Sequence, residues 1–283
     1  MKNMLILLLT TISLTVFGQP GIVTQAIITT KTTIVSPEGE EPGFQSNTGP
    51  GGEEVRIMRF GGDGETKTTT WLKNDFMKTF SESEMGRTTV IRDNSKKITT
   101  TIMEMMGRKS GFYATDEDQK EMNRRMDSMM KSRGQNNSFT NSSTPPVFKI
   151  EYIDESKKIA GYTCKKAMIF ATRSNGKTDT TKVWYCPEFK INNVTSTGGS
   201  SGGFGGFTAA AGVSGMEILN GFPMQYTRNM NRGRMMTVEV TKLVIDKEIA
   251  DKEFDIPKDI EIKAMKDMQN DGGPGRIQFR VGG

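Results

Sequence analysis

Four runs dominated by β-branched residues set the limits on this fold: IVTQAIITTKTTIV (22–35), ETKTTTWLK (65–73), GRTTVIRD (86–93) and KKITTTIMEMM (96–106). Val, Ile and Thr are already restricted at χ1, so a helix suits them poorly and a pleated strand suits them well. Turn formers stand beside the runs: Ser36-Pro37, Gly61-Gly62-Asp63-Gly64 and Asp93-Asn94-Ser95. Extended runs joined by tight turns imply an antiparallel meander. EVRIMRF (54–60) is expected to turn through 61–64 into ETKTTTWLK, and VFKIEYI (147–153) to turn at Asp154-Glu155-Ser156. MEILNGFPMQYTRNM and GRMMTVEVTKLVI read as a final strand pair. The expected fold class is mainly β, a single antiparallel domain over residues 19–265.

The N-terminus, MKNMLILLLTTISLTVFGQPG, carries Lys2 and then an apolar run from Met4 to Phe17. That run is too short to span a bilayer, and Val16 and Gly18 are small enough for the cleavage positions of a signal peptidase. Residues 1–18 are read as a signal peptide, which places the protein in the periplasm or outside the cell. No later run is apolar enough for a transmembrane helix. Segments 37–54 and 192–215, rich in Gly, Pro and Ser, are expected as disordered loops, and 266–283 as a flexible Gly-rich tail.

One helix interrupts the strands, at 116–132. Thr115 and Asp118 have capping-box spacing, and Asp116, Glu117 and Asp118 make an acidic first turn. Met122, Met126, Met129 and Met130 then recur at i, i+4, i+7 and i+8, one helical face. The chain holds 20 Met against 15 Phe. Thioethers bind Cu(I), but a lone apolar helix face is more often core. A third reading uses the flexibility and polarizability of methionine, which suit an adaptable apolar surface. These four residues are the candidate ligand-binding set, covering an apolar cleft.

The two cysteines, Cys164 and Cys186, flank the turn sequence Ser174-Asn175-Gly176. A three-residue loop with Gly176 in the left-handed conformation puts Cys164 opposite Cys186 on one side of the sheet, suited to a structural disulfide. A two-residue loop would put them on opposite faces.

Asn175-Gly176-Lys177-Thr178 is not a phosphate-cradling loop, because Ala171 stands where the first glycine is required. The chain has no histidine, which removes Ser-His-Asp and Cys-His catalysis and most zinc sites. Gly212-Val213-Ser214-Gly215-Met216 lacks the final glycine of a nucleophile elbow. Glu253 and Asp255 could serve as acid and base in a pocket; as sequence they read as exposed charges. The net charge of +5 is scattered without a basic stripe, so nucleic acid is not an expected partner. No catalytic residue, metal or cofactor is assigned.

KKIAGYTCKKA, VWYCPEF and NGFPMQY resemble the carboxy-terminal core of secreted bacterial proteins of the GLPGLI type. They resemble more closely a related family, the domain of unknown function 4412. TTTWLKNDFMKTF and TTVIRDNSKKITTTIMEM are similar to the strand succession of the LolA/LolB lipoprotein carriers. The resemblance implies an antiparallel open (half) β-barrel with one covering helix, able to hold acyl chains. It carries over no catalytic residue. The expected function is that of a non-enzymatic exported envelope protein binding a lipid or a lipoprotein acyl chain. The alternatives are a structural or protein-interaction module of the envelope and, third, Cu(I) binding.

Overall fold

A computed structural model describes residues 20–37, 44–48, 54–58, 64–83, 86–105, 107–132, 146–191, 215–230, 233–245 and 247–268. The segment 1–18 expected as a signal peptide, most of the expected loop 192–215 and the chain beyond residue 268 lie outside them.

The fold is mainly β, built on one open sheet of 12 strands. Its centre pairs β2 (Gln25–Val35) with β5 (Gly64–Lys73), and then runs as a meander through β6 (Phe76–Ser83), β7 (Gly86–Asp93), β8 (Ile98–Met105) and β9 (Arg108–Thr115). On the other side of β2 lie β15 (Met235–Ile245), β14 (Phe222–Asn229), β12 (Thr178–Cys186), β11 (Tyr162–Thr172) and β10 (Val147–Ile159). Every pairing is antiparallel except the last, where β16 (Ile262–Ala264) runs parallel to β9. The two outermost strands, β10 and β16, leave the sheet unclosed. A second parallel pair joins β1 (Gly21–Val23) to β13 (Phe189–Ile191).

Three local expectations change. Strand β4 (Glu54–Met58) does not continue the meander into β5; it pairs with β3 (Phe44–Thr48), inside the segment expected as a loop. Strand β5 instead takes β2 as partner over ten registered positions, where the Thr and Ile runs of the two strands match side by side. The sequence Asp154-Glu155-Ser156 is a bulge within a continuous β10, not a turn. The reversal comes at Ala160-Gly161, with φ of +47° and +89°. Positive φ at both central residues matches the twist of the flanking strands, and only Gly161 adopts it without strain.

One face of the central sheet is buried. Ala26, Ile28, Leu72 and Met77 join Val240, Leu243, Phe222 and Met224 in one apolar cluster. A second cluster surrounds Ala167, Ile169, Val183, Tyr226 and Val238, closed by Met216 and Leu219 from the turn around Met216–Ile218. Along the middle of the inner face the side chains are hydroxyls. Thr30, Thr68, Ser81 and Thr88 are successive register partners and all are buried. The Thr68 and Ser81 hydroxyls lie 3.0 Å apart, while Thr30 Oγ1 and Tyr226 OH have no hydrogen-bond partner among the described residues.

Helix α1 spans Asp116–Ser132 and packs against β9. Its capping box is formed: the Asp118 amide donates to Thr115 Oγ1 (3.1 Å), and the Thr115 amide donates to Asp118 Oδ2 (2.9 Å). After β15 the chain crosses the outer face of β5–β9 as a strap. A 3-10 turn at Asp251–Phe254 leads to β16 and a short helix α2 (Met265–Met268).

Candidate functional site

Strand alternation puts Trp71, Lys78 and Ile91 in one cross-strand row on the outer face, with Phe80 and Thr89 in the next. Large side chains on such a face need a cover, and the strap supplies one. Phe254 is buried against Phe76, ring centroids 5.6 Å apart. Lys73 Nζ holds the entry of the strap, donating to the Ile249 carbonyl (2.7 Å) and to Asp251 Oδ1 (2.6 Å). The Ile249 amide donates to Gln25 Oε1 (3.3 Å). Farther on, the Ile262 side chain lies directly over Gly111, where a Cβ would collide with it.

Between these anchors the strap stands off the sheet and leaves a cleft of about 230 Å³. Trp71, Lys78, Phe80, Thr89 and Ile91 form its floor, and Glu253, Asp255 and Pro257 its outer wall. Lys78 Nζ lies 5.4 Å from the Trp71 ring centroid, a cation–π contact. The described ion pairs include none between Lys78 and either carboxylate. The cleft therefore holds an aromatic floor, one cation and two carboxylates that no cation within 4.0 Å neutralises among the described residues. Sites that enclose a drug-sized molecule run to roughly 300–1,000 Å³, so this one takes in one end of a larger amphiphile.

Of the residues singled out in the sequence, Glu253 and Asp255 belong to this cleft, although as sequence they read as exposed charges. Trp71, Lys78, Phe80, Thr89, Ile91 and Pro257 were not foreseen. The signal that could have found them is a run of large side chains at outward-facing strand positions. Of the four helix methionines, Met122 is not among the residues that line the cleft. Met122 is half-buried; the side chains of Met126, Met129 and Met130 lie outside the described residues. No cluster of three or more His, Cys, Asp or Glu residues suited to a metal occurs among the described residues.

The cysteines sit elsewhere, both fully buried in the first apolar cluster. The hairpin loop has the three-residue form. The Arg173 amide donates to Lys177 O and the Gly176 amide to Arg173 O, each 2.9 Å, with Gly176 at φ +78°. Burial, with the neighbouring Cys186 second, pushes the Cys164 thiol up to about 12, and burial also raises Cys186. The structure holds both as thiols.

The profile of a protein family described as "Domain of unknown function (DUF4412)" matches residues 55–260. The chain belongs to this family. The match begins before β5 and ends within the strap, so floor and outer wall of the cleft both lie inside the DUF4412 region. No curated protein matches the chain. Among solved structures, PNGF-II is similar in two crystal forms, at 13% and 14% identity with a TM-score of 0.34 for each. The alignments cover 87% of this chain and 33% and 32% of PNGF-II, so the chain spans about a third of that protein's length. An outer membrane lipoprotein-sorting protein domain from Vibrio parahaemolyticus is similar at 8% identity and a TM-score of 0.26, covering 82% of this chain and 89% of that domain. No described helix is long and apolar enough to cross a membrane.

Proposed function

We propose that this DUF4412 protein is an exported, non-enzymatic envelope protein that binds the polar end and first methylenes of a lipid, or of a lipoprotein's acyl anchor, in the cleft beneath the strap. One observation carries the reading: a floor of Trp71, Phe80 and Lys78 shares one cleft with a carboxylate wall of Glu253 and Asp255. A zwitterionic head group matches that arrangement. Its phosphate meets Lys78, its ammonium meets Glu253 and Asp255, and the hydrocarbon beside it covers Trp71, Phe80 and Ile91. The methionine face of α1 belongs to the same reading as an adaptable apolar surface for the rest of the chain. The reading uses Lys78, Glu253 and Asp255 as fixed charges and assigns them no bond-making role.

The test is native mass spectrometry of protein taken from its own cells, followed by titration with a short-chain phosphatidylethanolamine. Co-purifying lipid and saturable binding that Glu253→Gln and Asp255→Asn weaken support the reading. Clean protein that ignores the added lipid removes it.

A second reading, a protein-interaction module, is favoured by β10. This 13-residue strand is an open edge of the sheet, with Val147 72% and Tyr152 48% exposed. An unpaired edge can accept another strand. Crosslinking followed by pull-down separates the two readings, because this one predicts crosslinks at β10 to a protein and no bound lipid.

A further inference from the structure

The β11–β12 hairpin fixes more than the direction in which its cysteines point. Its register is unbroken from Thr172↔Thr178 to Lys165↔Tyr185, so the next pair is Cys164 and Cys186. In an antiparallel ladder, pairs that exchange backbone hydrogen bonds alternate with pairs that do not, and the latter bring their α-carbons about 1 Å closer. Arg173 and Lys177 share the bond that closes the loop. Counting down the strand, odd-numbered β11 residues fall in hydrogen-bonded pairs and even-numbered ones in the close pairs. Thr172 and Thr178 are such a close pair, and their hydroxyls stand 3.0 Å apart. Cys164 and Cys186 fall in the same series. Both are 0% exposed in one apolar cluster. Cys164 Sγ makes a weak hydrogen bond to the Tyr162 carbonyl at 3.6 Å.

We propose that Cys164 and Cys186 are joined by a cross-strand disulfide in the exported protein. The oxidant is a second disulfide, carried by an envelope thiol oxidase or a small molecule. One cysteine loses its proton and attacks that disulfide, releasing one sulfur of the oxidant as a thiol and forming a mixed disulfide. The partner cysteine then loses its proton and attacks the mixed bond, releasing the second thiol. Two thiols become one disulfide, and the two electrons and two protons leave with the reduced oxidant. Burial holds both thiols in the neutral form in the folded chain. The exchange therefore runs while the hairpin is still open to solvent, and the finished bond is shielded from reductants.

Protein from its own cells is unfolded in the presence of a maleimide, without reductant, and its peptides are mapped by mass. The expected result is no labelled cysteine and a linked peptide pair lighter by two hydrogen atoms. Reduction before labelling restores two labels. A parallel sample refolded with oxidised glutathione forms the same internal link. Two labelled cysteines in the unreduced cell-derived protein overturn the proposal. In that case the refolded sample tells whether the geometry or the compartment is at fault, because a link in glutathione clears the geometry.

Discussion

Arg92 on β7 grips Asp116 at the first turn of α1 with both terminal nitrogens, at 2.6 and 3.1 Å. The guanidinium is nearly buried and donates also to Thr99 Oγ1 (3.1 Å) and, through Nε, to Asn94 Oδ1 (2.9 Å). The helix is thus tied to the meander two strands away from the one it follows. Replacing Asp116 by Asn leaves a buried guanidinium without its counter-charge, which costs about 2 kcal/mol. For a domain this large that lowers Tm by roughly 4–8 °C, measurable by thermal denaturation followed by circular dichroism.

Three carboxylates around this junction make the fold acid-sensitive. A hydrogen bond from the Ser95 hydroxyl holds Asp93 at about 2. The Arg92 guanidinium lowers Asp116, and the Thr115 amide lowers Asp118. Each is depressed in the folded state, so its contribution is complete above the ordinary carboxylate range, about pH 4. It is lost as the pH falls from there toward 2. Urea midpoints measured between neutrality and strong acid should therefore drop mainly in that window, and Asp118→Asn should shrink the drop.

Gly221 sits at φ +155°, and a Cβ there would overlap the Cys186 carbonyl. Neither partner can move, because Cys186 and Phe222 are register partners and both are buried. Gly221→Ala is expected to cost about 3 kcal/mol or more, seen as a lower denaturation midpoint. Gly161→Ala meets no neighbouring atom; only its positive φ opposes it, and about 1 kcal/mol is expected.

The chain contains two tryptophans. Trp184 lies 4.5 Å from Lys157 Nζ on another part of the sheet, and Trp71 floors the cleft. In a Trp184→Phe background, emission therefore reports the cleft alone. Lipid binding should change it saturably, and Lys78→Met should reduce affinity several-fold while leaving Tm within about 2 °C of the parent. Met122→Gln combined with Met126→Gln and Met129→Gln tests the helix separately, by loss of affinity for longer acyl chains.

What the sequence made readable was local. The Thr- and Ile-rich runs carry their own strand propensity, the β5–β9 meander needs only short turns, and Asn175-Gly176 marks a turn whose length only the structure decides. Thr115 and Asp118 announce the start of α1 in the same way. Choices between distant partners were not readable. Strand β5 takes β2 over β4 because the matched rows compete better, a comparison no window of sequence contains. Trp71 and Glu253 meet across most of the chain, through a strap whose elements are three and four residues long. Segments that short show no periodicity, and the residues under them look like ordinary outward positions.

The strap follows in the chain every strand that it covers. As the polypeptide leaves the ribosome, Trp71, Phe80 and Ile91 exist long before Glu253, Asp255 and Pro257 are made. Until then the aromatic floor has no opposite wall and presents an uncovered greasy platform. The cleft is thus a late product of assembly, complete only once the end of the DUF4412 region has been made.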